Sequence, residues 1–312
     1  MPRPIPSWHG FVGQREIVAS LAEHARGAVQ KAETLPHVLL GGQSGVGKTH
    51  LAKAVAADMQ TGFHEFCCSR QAKKIDVAEK LAGVKKGDVV FLDEIHALPA
   101  DSQEMLYVAI DSQRVPKIDP EKRRLVPSLW TNVPAFTLIL ATDQPGRLLK
   151  ALRQRIVLRY MLADYTIPEL RQIVFNTAAE INILLTPQAA TRLAEAARGI
   201  PRMARNWMKS YRVSMPEVSV EITRGMVDRY LMSIGIDDEN LTRSDIRYLQ
   251  HLLKRGGRLS LANLAVLLGT DVRQVQAEIE GYLHQRGWIG IDSRGRFLTP
   301  EGLKFCAERG IA

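Results

Sequence analysis

Cysteine is scarce in this chain: three residues in 312, at positions 67, 68 and 306. So few thiols exclude a disulfide-stapled scaffold and a four-cysteine zinc site. Cys67 and Cys68 are adjacent, which suits neither metal-ligand spacing nor disulfide closure, so they read as reduced thiols. Long apolar runs are also missing. The longest uncharged stretch, residues 125–142, is broken by Pro127, Ser128, Thr131, Asn132 and Pro134, a poor membrane span. The opening Met1-Pro2-Arg3-Pro4-Ile5-Pro6 has no apolar signal core, so a soluble, cytoplasmic protein without a membrane partner is expected. Acidic excess is lacking too: 42 Lys and Arg stand against 33 Asp and Glu, a formal net charge of +9. That excludes an acidic tail protein and makes an anionic partner plausible, nucleic acid first, although a basic enzyme without such a partner has the same composition. Repeats and low-complexity tracts are absent.

What is present alternates. Residues 15–31 read as a helix with Ile17, Leu21 and Ala25 on one face. Pro36–Leu40, Val89–Leu92 and Phe136–Ala141 are short apolar runs that read as buried strands, and residues 48–59 return to a helical pattern. Strands alternating with helices predict an α/β fold with a parallel sheet. From about Pro168 the strand signal fades and helices follow, at 168–181 and 187–198. A break at Gly235–Asn240 precedes a compact final unit that closes on a Trp288–Phe297 hairpin. The last 72 residues carry 11 Lys and Arg against 7 acids, the densest basic excess in the chain.

Gly42-Gln43-Ser44-Gly45-Val46-Gly47-Lys48-Thr49 follows the first apolar strand and opens a helix. In that context the glycines let backbone N–H groups face phosphate oxygens, and the helix N-terminus adds a favourable dipole. Lys48 can reach the β and γ phosphates of a nucleotide, and the Thr49 hydroxyl can ligate Mg²⁺. Some 45 residues on, the second strand ends in Asp93-Glu94. Asp93 suits the Mg²⁺ ion and Glu94 suits polarising an attacking water, which together describe an ATPase site.

Beyond these two motifs, Phe11-Val12-Gly13-Gln14, Asp93-Glu94-Ile95-His96, Pro134–Ile139 and Ala197-Arg198-Gly199-Ile200-Pro201-Arg202 occur in fixed order. With Leu261–Ala265 and Tyr282–Trp288 near the end, the chain resembles the RuvB family of Holliday-junction branch-migration ATPases, members of the AAA+ class. The resemblance implies an AAA+ P-loop core over 1–164, a small α-helical lid over 165–238 and a winged-helix DNA-binding domain over 239–312. It implies a hexameric ring on duplex DNA, ATP with Mg²⁺ bound between subunits, and a RuvA-like junction-binding companion. By the same resemblance Arg155 is the arginine finger, with Arg153 and Arg159 as neighbouring alternatives. Arg202 is the lid arginine that touches phosphate, Tyr165 touches the nucleotide, and Val12 and Gly13 lie beside adenine. The nucleotide set is thus Val12, Gly13, Gly42, Gly45, Gly47, Lys48, Thr49, His50, Tyr165 and Arg202. In the wing, Arg294-Gly295-Arg296 is similar to the family's Arg-Gly-Arg, which implies two guanidinium groups that can lie in a groove or along DNA phosphates without reading sequence.

Four positions depart from the family pattern. The polar residue that ends the third strand, usually Thr or Asn, orients the attacking water in the family, and here Thr142 or Asp143 fills that role. A carboxylate there would repel the γ-phosphate unless paired, for example with Lys48 or an arginine. In the stretch Asp111-Ser112-Gln113 only the first position keeps its acidic character. The 115–133 segment resembles the hairpin that grips the junction-binding partner, but its tip, Asp119–Arg124, is charged where the family is apolar. A family arginine on the strand entering the wing is Ile291. The expected function is an ATP-driven DNA motor. The alternatives are an AAA+ loader or switch, or a protein-remodelling ATPase that uses its winged helix as an adaptor.

Overall fold

The computed structural model describes Trp8, residues 10–214, 221–254, Gly256 and residues 258–311. Contacts divide the chain into two compact units: one runs to Glu169 and includes Ile200–Arg202, the other comprises Leu170–Gly199 and the chain from Met203 onward. The division falls within the first turns of the helices Ile167–Glu180 and Pro201–Ser214.

Among the described residues the first unit has seven strands: β1 (Val38–Gly41), β2 (Phe63–Cys67), β3 (Val89–Asp93), β4 (Arg114–Asp119), β5 (Arg124–Asn132), β6 (Thr137–Thr142) and β7 (Leu158–Met161). Five form a parallel sheet in the order β2-β3-β6-β1-β7. The three central strands are the three apolar runs read from the sequence. Their side chains are almost wholly buried, as a strand covered on both faces requires. The flanking β2 and β7 alternate between half-buried and exposed positions and show no continuous apolar run.

Five helices accompany the sheet: α1 (Arg15–Lys31), α2 (Lys48–Asp58), α3 (Lys74–Ala82), α4 (Ala100–Ser112) and α5 (Lys150–Arg155). Val77 and Leu81 of α3 and Leu106 of α4 pack in one core with Val90, Leu92, Leu138 and Leu140 of the sheet. Each such fully buried side chain contributes roughly 1.5–3 kcal/mol. Register then sets the site. Gly41 pairs with Thr142, and Leu92 with Leu140, so β1, β3 and β6 end side by side. The Gly42 N–H donates to the Thr142 carbonyl at 3.2 Å, fixing the start of the glycine loop to the end of β6. β4 and β5 form a separate antiparallel pair whose register breaks between Pro116 and Lys117.

The second unit is mainly helical: α6 (Ile167–Glu180, beyond its first turn), α7 (Pro187–Ala196), α8 (Pro201–Ser214), α9 (Arg224–Ser233), α10 (Arg243–Lys254) and α11 (Leu261–Leu268). The Thr186 and Ser260 hydroxyls cap α7 and α11 by accepting from Ala189 N and Asn263 N. Then come α12 (Val272–Gln274), a π-helical Val275–Glu280 and α13 (Gly281–Gln285). The unit closes with the hairpin β8 (Ile289–Asp292) and β9 (Gly295–Leu298) and with α14 (Pro300–Glu308). Tyr248, Leu264, Val275, Leu283 and Trp288 form the core of the module that begins at α10. Arg198 pairs with the fully buried Asp245 and lies 4.1 Å over the Tyr282 ring, a joint between the helices after α6 and the final module. No helix among the described residues is long and apolar enough to cross a membrane.

Candidate active site

The glycine loop leaves β1 with positive φ at Gly42, Gly45 and Gly47 and enters α2 at Lys48. Close approaches at Gly45 and Gly13 leave no room for a side chain. A Cβ on Gly45 (φ 88°) would lie 2.9 Å from Ile200 Cγ2 and from Arg202 Cβ. A Cβ on Gly13 (φ 79°) would lie 2.5 Å from Tyr165 Cε1. The close approaches gather the expected nucleotide residues. Arg202 N donates to the Gly45 carbonyl at 3.3 Å, and its guanidinium to Ser44 Oγ at 3.1 Å. Phe11 and His50 bring their rings to 5.8 Å. Burial pushes the Tyr165 phenol up to about 12, so it stays a neutral hydroxyl. Val12 is half-buried beside Gly13.

The Lys48 side chain is buried, and its amine donates to the carbonyls of Gly42 and Gln43 at 2.7 and 2.8 Å. Desolvation holds its pKa below the usual lysine value, opposed by the charges of Glu94, Asp93 and Asp143. Thr49 follows in the first turn of α2. Asp93 ends β3, and its Oδ1 accepts the Glu94 N–H at 3.0 Å. Glu94 adopts φ 54°, an uncommon conformation for a residue with a side chain, which turns the chain sharply off the strand. Burial, then the nearby Asp143 charge, raises the Glu94 carboxyl above the usual range. That tuning suits a group that accepts a proton.

Thr142 and Asp143 divide the work at the end of β6. Thr142 is fully buried, and its hydroxyl accepts the Gln144 N–H at 2.9 Å. Asp143 is exposed and, among the described residues, pairs with neither Lys48 nor an arginine; its carboxylate lies 3.2 Å from His96 Nδ1. The same nitrogen is 3.4 Å from Glu94 Oε2 and 3.1 Å from Thr142 Oγ1. His96, which lies within the motif Asp93-Glu94-Ile95-His96, is therefore a further site residue, beyond those expected from the sequence. Its signal was position: two residues past the glutamate, at the end of a central strand.

Arg155 closes α5 away from this cluster. Its Nε donates to both carboxylate oxygens of Asp111 at 2.8 Å, and its guanidinium lies 4.8 Å over Tyr107. The pair holds the Asp111 carboxyl below its usual range and lies at the surface, with Asp111 exposed and Arg155 half-buried. Arg159 instead folds back to donate to Ile156 O at 2.9 Å.

Residues 3–162 match the family described as the Holliday junction DNA helicase RuvB P-loop domain, and residues 238–307 match the RuvB C-terminal winged helix domain. The chain is 33% identical over 297 residues to the Holliday junction branch migration complex subunit RuvB of Thermotoga maritima, covering 94% of this chain and 89% of that one. This chain belongs to the RuvB family. The Salinibacter ruber subunit of the same name is 33% identical over 292 residues, 92% of this chain and 84% of that one. A mutant structure of Thermotoga maritima RuvB superposes with TM-score 0.86 at 31% identity over 97% of this chain and 98% of that one.

Within this RuvB-family chain the wing departs from expectation. Arg294 sits in the exposed turn, where its N–H and that of Gly295 donate to Asp292 Oδ1 at 2.8 and 3.0 Å. Arg296 does not offer its guanidinium to solvent. Its Nε and Nη2 donate to the two carboxylate oxygens of Glu280 at 2.8 and 3.2 Å, and the Glu280 side chain is only 4% exposed. Tyr248 Oη donates to the same carboxylate at 2.9 Å. A buried carboxylate demands such partners, so the wing presents one guanidinium and spends the other on its own core. Ile291 stands exposed on β8.

Proposed function

We propose that this chain is an ATP-driven motor that translocates duplex DNA and drives Holliday-junction branch migration in recombination and repair, as a hexameric ring. The observation that carries the reading is the convergence of the glycine loop, Asp93-Glu94 and Thr142-Asp143 on adjacent strand ends, in a chain that matches RuvB in both its P-loop and winged-helix parts. Residues 165–238 act as the lid.

The glycine cradle and the buried Lys48 amine suit a triphosphate: phosphate oxygens take the place of the Gly42 and Gln43 carbonyls as partners of the amine. Thr49 and Asp93 are the oxygen donors for Mg²⁺, which when bound neutralises charge on the β and γ phosphates. Val12, Gly13, His50 and Tyr165 flank the base, and Arg202 contacts phosphate. Glu94 accepts the proton of the attacking water. Asp143 and Thr142 hold His96 against Glu94 and keep the glutamate oriented. Arg155 leaves Asp111 and reaches the γ-phosphate of a neighbouring subunit, where its charge stabilises the transition state. Arg294 follows the DNA backbone. On the hairpin, Leu129 and Trp130 are each 50% exposed, apolar contacts for a RuvA-like junction-binding partner. The charged tip does not extend freely: Arg123 is clasped by Asp76 and Glu79 of α3.

A second reading, an AAA+ loader or switch, draws on one observation, the carboxylate of Asp143 where the family has a hydroxyl or amide. Glu94→Gln separates turnover from binding. It is expected to retain ATP and lose turnover by about 10²–10⁴-fold, measured by phosphate release beside equilibrium nucleotide binding. Turnover equal to the parent would remove Glu94 from its role. ATP-dependent assembly without DNA-stimulated turnover would favour the switch.

A further inference from the structure

Away from the glycine loop, the first unit carries a strongly basic cleft of about 660 Å³ between the loop after β2, the start of α3 and the β4–β5 hairpin. Arg70, Lys73, Lys74, Arg123 and Arg124 line it, against one carboxylate, Asp101. The cations differ in how firmly they are held. Arg123 is bound to Asp76 and Glu79 at 2.9 and 3.0 Å. Lys74 reaches Asp101 only at 3.8 Å in an exposed pair, and Arg124 reaches the half-buried Asp119 only at 3.7 Å. Such pairs are weak and give way to a phosphate. Arg70 and Lys73 are exposed and form no ion pair with any described residue. We infer that this cleft binds the sugar–phosphate backbone of DNA, as a second contact surface separate from the wing. The inference rests on the DNA-motor reading above and adds to it a site in the ATPase unit.

Its chemistry fits a phosphate backbone. The lining offers both amines, which act as mobile point charges, and guanidinium groups, which fork onto phosphate oxygens. No acidic residue lies between Arg70 and Lys73 in sequence. Phosphate contacts of this kind position a duplex without reading its sequence, as a translocating protein requires.

The cleft also borders the hydrolytic cluster. Arg70 lines a second cavity of about 280 Å³, together with Arg147 and His96. His96 is the side chain that touches Glu94 and Asp143. A phosphate held at Arg70 therefore stands across one small cavity from the imidazole that orients the glutamate, a short physical route by which bound DNA alters ATP turnover.

The test uses the full chain and a fluorescein-labelled duplex, with affinity followed by anisotropy across a KCl titration. Arg70→Ala with Lys73→Ala, and the charge reversal Arg70→Glu with Lys73→Glu, change only exposed side chains, so thermal unfolding checks that both variants fold. Both are expected to bind the duplex more weakly. The alanine pair is expected to flatten the log affinity against log salt slope by about 1.8, since each lost phosphate contact removes about 0.9. DNA-stimulated turnover is expected to drop in parallel. Variants that match the parent in affinity and slope would overturn the inference while leaving the motor reading intact. So would variants that keep DNA binding but lose binding to polyglutamate, which would assign the cleft to an acidic protein. A parent chain that fails to bind duplex at all would instead refute the motor reading and this site with it.

Discussion

Two arginines singled out by motif, Arg155 and Arg296, both end up in forked pairs with a carboxylate, yet the two regions use the pair differently. Arg155 meets Asp111 on the surface, with both partners in contact with water. Arg296 meets Glu280 inside the second unit, with Tyr248 completing the shell of the carboxylate. An exposed pair contributes little to stability and can be exchanged for a stronger anion. A buried one cannot be opened without stranding a charge in the core. The same chemistry therefore marks a movable group in the ATPase unit and a fixed one in the winged helix.

Substitution breaks this comparison most visibly at Arg155. Arg155→Ala is expected to lower ATP turnover by about 10³-fold while ATP still binds and the unfolding midpoint stays put. Steady-state turnover, nucleotide binding and a thermal melt check the three parts, and normal turnover would remove the trans role. Arg296→Ala is expected to do the opposite. It leaves Glu280 buried and unpaired, at a cost on the order of 3 kcal/mol in urea unfolding. A stability unchanged from the parent, with weaker DNA binding, would return Arg296 to the DNA surface.

A third region sharpens the contrast, because there desolvation of a half-buried imidazole, rather than a charged partner, sets its protonation. His37 Nδ1 accepts the Leu138 N–H at 3.0 Å, and burial pushes the imidazole down to about 4 from 6.5. Its folded-state pKa lies below the unfolded one, so the unfolded chain takes up the proton first. This stability is complete above about pH 6.5 and is lost as pH falls toward 4, by at most about 3 kcal/mol. Urea midpoints across that interval check it, and His37→Gln should flatten the dependence. The smallest effect is at the wing: Arg294→Ala is expected to reduce the salt slope of duplex binding by about 0.9.

The legible parts of the molecule were those encoded locally. The glycine loop, Asp93-Glu94 and the three central strands each announce themselves within a few residues, and α1 begins and ends where its apolar face predicts. The strands β2 and β7 escaped because a half-covered strand in a short segment has no run of apolar residues to reveal it. The Arg296 pair is not legible in the sequence because its partner Glu280 lies 16 residues earlier, in a π-helical segment that sequence periodicity does not signal. The pairing of Asp143 with His96 spans 47 positions and exists only because β3 and β6 are neighbours in the sheet. Local patterns identify the parts of the site, and the tertiary fold decides which charges remain available.

The most direct measurement is ATP turnover by the full chain with and without a synthetic four-way DNA junction at fixed salt. A several-fold rise with the junction, abolished by Lys48→Ala, is the result the motor account predicts. A rate that is identical with and without DNA, but rises when a protein substrate is added, would contradict it.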